Sequence, residues 1–387
     1  MKKVVYLFPT NRQKLLEEVE YGIAPDNNLY GLNHLQKFFQ VDTFDGAQVS
    51  LNVNPKQTPV VRQESRWVGQ EKINVKLERV LNLLFLPLVW FFNSRYTKLN
   101  LGRVILVLPR LWRADAVITC VDSINKAVAI LKKLNLFFAP LICMEGNVMD
   151  ETEKFPRLHQ WLWSGVDQII THAPVDQEKL VRLGLGDRGV TIPVGSDGDF
   201  WHTSGLPRRY APRNDGQTLV VSVGADRDRD YQTLFLAASQ LKQLKFLVCC
   251  GQKSVESLEI PENVEVRINV SALETREILS KAGMVVLPLQ ETFRASGQLA
   301  LLDAMLMEKP MIVSKTRGVV EAYGLVNMNQ VVLVPPGDVK SLAQAIEQLK
   351  SNKNLRCRLG VAGKKLAVGY TTKKYAEKLK KVILASS

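Results

Sequence analysis

The stretch "ASGQLALLDAMLMEKP" (295–310) sets a carboxylate, Asp303, among Leu299, Leu302 and Met305, on what reads as a buried helix opened by Ser296 and Gly297. A helix entrance carries backbone N–H groups without intrahelical partners and the positive end of the dipole. Ser296 can cap that entrance, and Gly297 leaves it bare enough for a phosphate to approach closely, with Gln298 beside it. Asp303 lies on the same face two turns along, about 10.5 Å by helical rise. Because side chains lean toward the amino end, that separation shortens to the span between the phosphates and the ribose of a nucleoside diphosphate. A carboxylate there can accept both ribose hydroxyls; the plainer alternative is that Asp303 faces solvent.

A second stretch, "VVSVGADRDRDYQTL" (220–234), reads as a strand, Gly224, a loop with Arg227 and Arg229, then a helix. Two guanidiniums at the carboxyl end of a strand suit a diphosphate, unless they are ordinary surface arginines. Other patterns carry less. "GLGDRG" (184–189) matches a dinucleotide fingerprint, but the helix-like "VDQEKLVRL" precedes it and the strand "VTIPV" follows, the reverse of the required order. In "DRDRD" (226–230) the interleaved arginines oppose a cation. The four histidines lie far apart, so neither a catalytic zinc nor another metal is expected.

The elements that must hold these groups alternate along the chain. Strands are expected at 4–8, 104–108, 116–120, 140–144, 168–172 and 190–194, then at 219–224, 245–251, 264–268, 284–289, 311–315 and 331–336. Helical spacing falls between them, as in "SINKAVAILKKL" (123–134) and "DVKSLAQAIEQLK" (338–350). Continuous apolar strands alternating with helices indicate an α/β fold, with doubly wound parallel sheets covered on both faces. "GSDGDFWHTSGLPRRYAPRNDGQ" (195–217) interrupts the alternation once. The expected organisation is therefore a domain over 1–195, a linker over 196–217 and a second domain over 218–370. Ligands of such sheets bind outside the carboxyl ends of the strands, here in a cleft between the two domains.

Composition narrows the partners. The 387 residues carry a net charge of +13, which points to phosphorylated ligands or an anionic membrane surface ahead of nucleic acid. Five cysteines without regular spacing form no disulfide framework, which suits a cytoplasmic location. "LLFLPLVWFF" (83–92) is half the length needed to span a bilayer and contains Pro87. It reads either as a core helix or as an amphipathic patch flanked by Lys72, Lys76, Arg79, Arg95 and Lys98.

The second half resembles the nucleotide-sugar domain of the family 4 retaining glycosyltransferases, which have the GT-B fold of two Rossmann-like domains facing across a cleft. The resemblance runs over 219–384, through "VVSVG", "FLVCCG", "ENVEVRINV", "EILSKAGMVVLPL", "SGQLALLDAMLMEKPMIVSKTRGVVEAYG" and "VVLVPPGDVKSLAQAI". "IPVGSDGDFW" (192–201) looks like the family's inter-domain signature. It implies a UDP- or GDP-sugar held mainly by the second half and an acceptor held by the first, with no further cofactor and no metal. It also implies that the last helix, 371–387, crosses back onto the first domain.

Of the family's two acidic residues eight positions apart, the second corresponds to Asp303 and the first falls on Ala295, with Glu291 available four residues earlier. Arg227, Arg229 and Lys253 stand in for the family's phosphate-binding arginine, whose place Ala225 takes. Where many relatives place a His after the strand matching "PLICM", this sequence offers Glu145, either to orient or deprotonate an acceptor hydroxyl or as a plain loop carboxylate. Asn28, Tyr30 and Gly31 fall where relatives contact acceptor and phosphate. The expected activity is retaining transfer of a sugar to a hydroxyl of a lipid or small molecule, by a cytoplasmic enzyme that is free or peripheral on the inner membrane face. Its catalytic groups would be Glu145, Arg227, Arg229 and Glu291. A degenerate nucleotide-binding scaffold is the alternative, and glycosylation of DNA a third reading.

Overall fold

The computed structural model describes residues 1–8, 12–45, 81, 101–120, 122–144, 156–202, 218–292 and 294–386. The stretch at 83–92, Glu145 and linker residues 203–217 lie outside them. The first half contains β1 (Lys3–Phe8), α1 (Gln13–Glu20), α2 (Leu32–Leu35), β2 (Gln40–Asp45), α3 (Leu101–Leu111), β3 (Ala116–Cys120), α4 (Asp122–Lys133), β4 (Leu141–Met144), α5 (Pro156–Trp163), β5 (Gln168–Thr171), α6 (Pro174–Arg182) and β6 (Gly189–Thr191). The second contains β7 (Leu219–Val223), α7 (Tyr231–Gln240), β8 (Lys245–Cys250), β9 (Val264–Ile268), α8 (Ala272–Lys281), β10 (Met284–Leu287), α9 (Gln298–Leu306), β11 (Met311–Ser314), α10 (Arg317–Tyr323), β12 (Val332–Val334), α11 (Val339–Ser351), α12 (Lys353–Ala367) and α13 (Thr372–Ser386).

These strands form two six-stranded sheets, in the orders β2-β1-β3-β4-β5-β6 and β12-β11-β10-β7-β8-β9. Every pairing is parallel, for example Val5 against Val117 in the first sheet and Val221 against Leu247 in the second. β3, β4 and β10 are buried along their whole length, as strands covered on both faces must be. The strand order reverses between β1 and β3 in one sheet and between β7 and β10 in the other. Such reversals open a crevice at the carboxyl ends, because the flanking crossovers leave in opposite directions.

Two first-half expectations are corrected. Residues 104–108, read as a strand, belong to helix α3, which buries Leu101, Val104, Val107 and Leu111 on one face. A short apolar run does not distinguish the two states by itself. The outermost strand on that side instead is β2, "QVDTFD", which among the described residues pairs only with β1 and whose described side chains are exposed or half-buried. An edge strand lacks the apolar run that marks a central one.

The chain crosses between the halves twice, side by side. Ser196 N–H donates to the Tyr370 carbonyl at 2.9 Å, and Thr372 N–H donates to the Ser196 carbonyl at 3.0 Å. Phe200 and Trp201 sink into the second-half core, with the Arg276 guanidinium 4.6 Å over the Phe200 ring. Beyond the return crossing, α13 packs Tyr375, Ala376, Leu379 and Ile383 into the core under the first sheet.

Candidate active site

Helix α9 differs from its neighbours at its entrance. α7, α8, α11 and α12 each begin on a capping side chain: Asp230, Ser271, Asp338 and Asn352 accept from backbone N–H groups three residues on. The cap position of α9 is Gly297, left-handed at φ 77° and with no side-chain hydrogen bond to offer. Ser296, expected to cap this helix, instead donates its hydroxyl to Asp228 Oδ2. The entrance is therefore bare, and its N–H groups remain available to an anion.

Arg229 lies against that entrance. Its side chain is 2% exposed, and its Nε sits 3.0 Å from Asp226 Oδ2. The guanidinium is wedged between two glycines from the loops that flank the strand-order reversal. A Cβ on Gly224 would fall 2.1 Å from Nη2, and one on Gly297 would fall 3.4 Å from Nη1 and 2.9 Å from Leu287 Cδ1. Nη1 is sealed from solvent and, among the described residues, has no hydrogen-bond partner. A buried donor left unpaired costs about 1–3 kcal/mol, so this group is primed to gain from an incoming acceptor.

These groups line a cavity of about 860 Å³ walled by both halves. The second half contributes Gly224, Arg229, Ser296, Gly297, Gln298 and Asp303; the first contributes Asn28 and Tyr30. Other expected residues lie apart from it. Arg227 is 68% exposed and 3.7 Å from Asp228, while Lys253 and Glu291 are exposed and outside the lining. Gly31 serves packing, since a Cβ there would lie 2.9 Å from Ala376 Cβ on α13.

Asp303 is buried and faces the first domain. Its Oδ1 accepts from the Ser196 hydroxyl at the crossing and from Asn27 Nδ2 at 3.4 Å. Burial pushes its carboxyl from the ordinary 3.8 to about 8, against the lowering effect of those hydrogen bonds. Asn27 also binds the crossing, its Oδ1 accepting from Asp197 N–H at 2.6 Å while Asp26 N–H donates to Asp197 Oδ2 at 3.0 Å.

Sequence reasoning missed Asn27, His172, Asp226 and Arg294, all of which line the cavity. His172 directly follows β5, and position at the carboxyl end of a strand was the signal that could have found it. Its Nδ1 lies 3.1 Å from the Ile192 carbonyl and so carries the proton. Burial lowers the ring's pKa, which keeps the imidazole neutral. The His172 carbonyl accepts from Gln298 Nε2 at 3.3 Å, tying the first turn of α9 to the first domain. Among the described residues no cluster of three or more His, Cys, Asp or Glu forms a metal site.

Residues 217–352 match the family described as Glycosyl transferases group 1. No curated protein matches the chain. Among solved structures, sucrose-phosphate synthase from Thermosynechococcus elongatus superposes with a TM-score of 0.65 at 15% identity, over 100% of both chains. HepE from Anabaena, in complex with UDP-glucose, gives 0.64 at 13% identity over 100% of both chains. A glycosyltransferase from Rickettsia africae gives 0.60 at 14% identity, over 100% of this chain and 99% of the other. Identities this low speak to fold, and they support one conclusion: the chain has the two-domain GT-B fold, with residues 217–352 similar to the glycosyl transferases group 1 family.

Proposed function

We propose that this protein is a retaining, metal-independent glycosyltransferase that moves a sugar from a UDP- or GDP-sugar to a hydroxyl of a lipid or small-molecule acceptor. One observation carries the reading: the buried Arg229 guanidinium, with Nη1 unpartnered among the described residues, held by two glycines against the uncapped entrance of α9. Positive charge concentrated in a largely buried site stabilises the departing diphosphate, the part a metal ion plays where one is used. The donor phosphates meet Arg229 and the α9 amides, the ribose reaches Asp303, and the acceptor enters past Asn28, Tyr30 and His172. In a front-face retaining step the sugar–phosphate bond breaks and the acceptor oxygen attacks from the same side. Its proton passes to the departing phosphate oxygen.

Thermal-shift titration with UDP, GDP and ADP and their sugars tests the binding half, since a ligand that binds only the folded state raises its apparent stability. A donor screen with anomeric analysis of the product tests the chemical half. Absence of any nucleotide shift removes the reading.

A second reading is favoured by Ala295, which lines the cavity where the family resemblance implies a carboxylate on the donor sugar. It makes the protein a nucleotide-binding scaffold without turnover. A nucleotide shift with neither transfer nor hydrolysis across the donor screen selects it.

A further inference from the structure

We propose that the amino-terminal edge of the first sheet is a docking surface for an anionic lipid bilayer. Three successive connections into β3, β4 and β5 bring large apolar side chains to that edge. Phe138 is 83% exposed, Trp112 63%, Leu134 60%, Trp161 47% and Leu136 40%. They form one patch: the Trp112 indole N–H donates to the Leu136 carbonyl at 2.6 Å, and Lys133 Nζ lies 5.8 Å from the Trp161 ring centre. Lys132 Nζ holds the loop from below, donating to the Phe138 carbonyl at 2.9 Å and the Ala139 carbonyl at 2.7 Å. The loop is thus preorganised, with its Phe138 and Ala139 carbonyls held by Lys132. Phe137 is buried and its neighbour Phe138 points out, so core packing accounts for the first and not for the second.

Charge decides what fits this patch. Arg113 follows Trp112, and Arg157 sits one helical turn before Trp161; both are exposed, and among the described residues neither pairs with a carboxylate. The nearby acids Asp115 and Asp167 are partly open to solvent but already engaged. Asp115 Oδ2 accepts from Lys3 N–H at 2.6 Å, and Asp167 Oδ2 accepts from Leu141 N–H at 2.8 Å and pairs with Lys132 at 3.4 Å. The face is therefore apolar, and Arg113 and Arg157 are its cations without a carboxylate partner among the described residues. Exposed apolar patches mark partner or membrane sites, and tryptophans settle where hydrocarbon meets headgroups. An anionic bilayer offers negative headgroups directly above a hydrocarbon layer, which complements both halves of this face.

The cavity opens at the carboxyl ends of the strands, the opposite edge of the same sheet. Docking here leaves the cavity facing water, which favours the small-molecule branch of the acceptor reading. The inference needs no nucleotide and stands whether or not sugar transfer is confirmed.

The test is co-sedimentation of the full chain with vesicles of phosphatidylcholine plus phosphatidylglycerol, and with phosphatidylcholine alone. The protein is expected to sediment with the anionic vesicles only. Leu134→Ser with Phe138→Ser, and separately Arg113→Glu with Arg157→Glu, each lower binding by at least about tenfold. All four positions are exposed, and circular dichroism confirms that the variants fold. Lys373→Glu with Lys374→Glu, on exposed positions of α13, leaves binding unchanged. Three outcomes overturn the proposal: wild-type protein that stays in the supernatant with both vesicles, binding indifferent to the first two double variants, or a self-association that Phe138→Ser dissolves while vesicles bind nothing.

Discussion

The two sheets share size and parallel pairing yet offer the cavity different chemistry. The second brings buried charge to its strand-order reversal: Arg229 leaves the loop after β7, and the bare entrance of α9 follows β10. The first brings mostly neutral groups, among them Asn28, Tyr30 and a neutral His172, with Asp176 as its one charged lining residue among those described. A diphosphate is always the same charged object, and a rigid charged wall suits it. Neutral groups on separate loops suit acceptors recognised by shape and single hydrogen bonds.

This contrast ranks the expected effects of substitution. Arg229→Ala lowers turnover by about 10²–10³, because it removes a preorganised positive charge from the leaving group. Circular dichroism should report an intact fold, and near-normal turnover would erase the division of labour between the sheets. Gly297→Ala forces a side chain into a left-handed conformation and against Leu287, costing about 1–2 kcal/mol in denaturant unfolding. Nucleotide affinity should fall with it; an unchanged unfolding midpoint would mean that the α9 entrance relaxes freely.

Asp303 supplies the pH test. Its carboxyl titrates near 3.8 when ordinary and at about 8 here, so between those values the folded state holds a proton that the unfolded state has lost. Its contribution to stability is therefore greatest at low pH and declines as pH rises toward about 8, with no further loss above. Ribose hydroxyls are best received by the ionised form, so nucleotide affinity should climb about tenfold between pH 7 and pH 9. Calorimetry in two buffers reads the accompanying proton release. Asp303→Asn should flatten both profiles, and an unaltered affinity profile in that variant would detach Asp303 from the ribose.

The smallest effect belongs to the first sheet. Asn28→Ala should raise the acceptor KM by about two- to tenfold, the worth of one hydrogen bond, and leave nucleotide binding unchanged. A comparable loss of nucleotide affinity would show that the donor also rests on the neutral wall.

How much was legible beforehand also differs between the halves. The central second-half strands β7, β8, β10 and β11 announce themselves as apolar runs, because central parallel strands are buried on both faces, while the edge strand β9 shows an alternating pattern. In the first half the same rule misread 104–108, whose run is the apolar face of α3, and passed over β2, which is polar because it is an edge. That Gly224, Arg229, Ser296, Gly297, Gln298 and Asp303 line one cavity was legible because a strand, a loop and a helix entrance are local features of the chain. Arg227, Lys253 and Glu291 match them in residue type, but they are exposed and outside the cavity lining.

Local order along the chain was enough for the alternation of elements, the two sheets and the glycine that bares α9, since each follows from neighbours a few residues apart. Which guanidinium turns inward, and that Asp303 meets Ser196 and Asn27, were decided only when segments up to 276 positions apart packed together. Burial and hydrogen-bond partners are properties of the packed chain, and they set both the charge state of Asp303 and the unmet bond of Arg229.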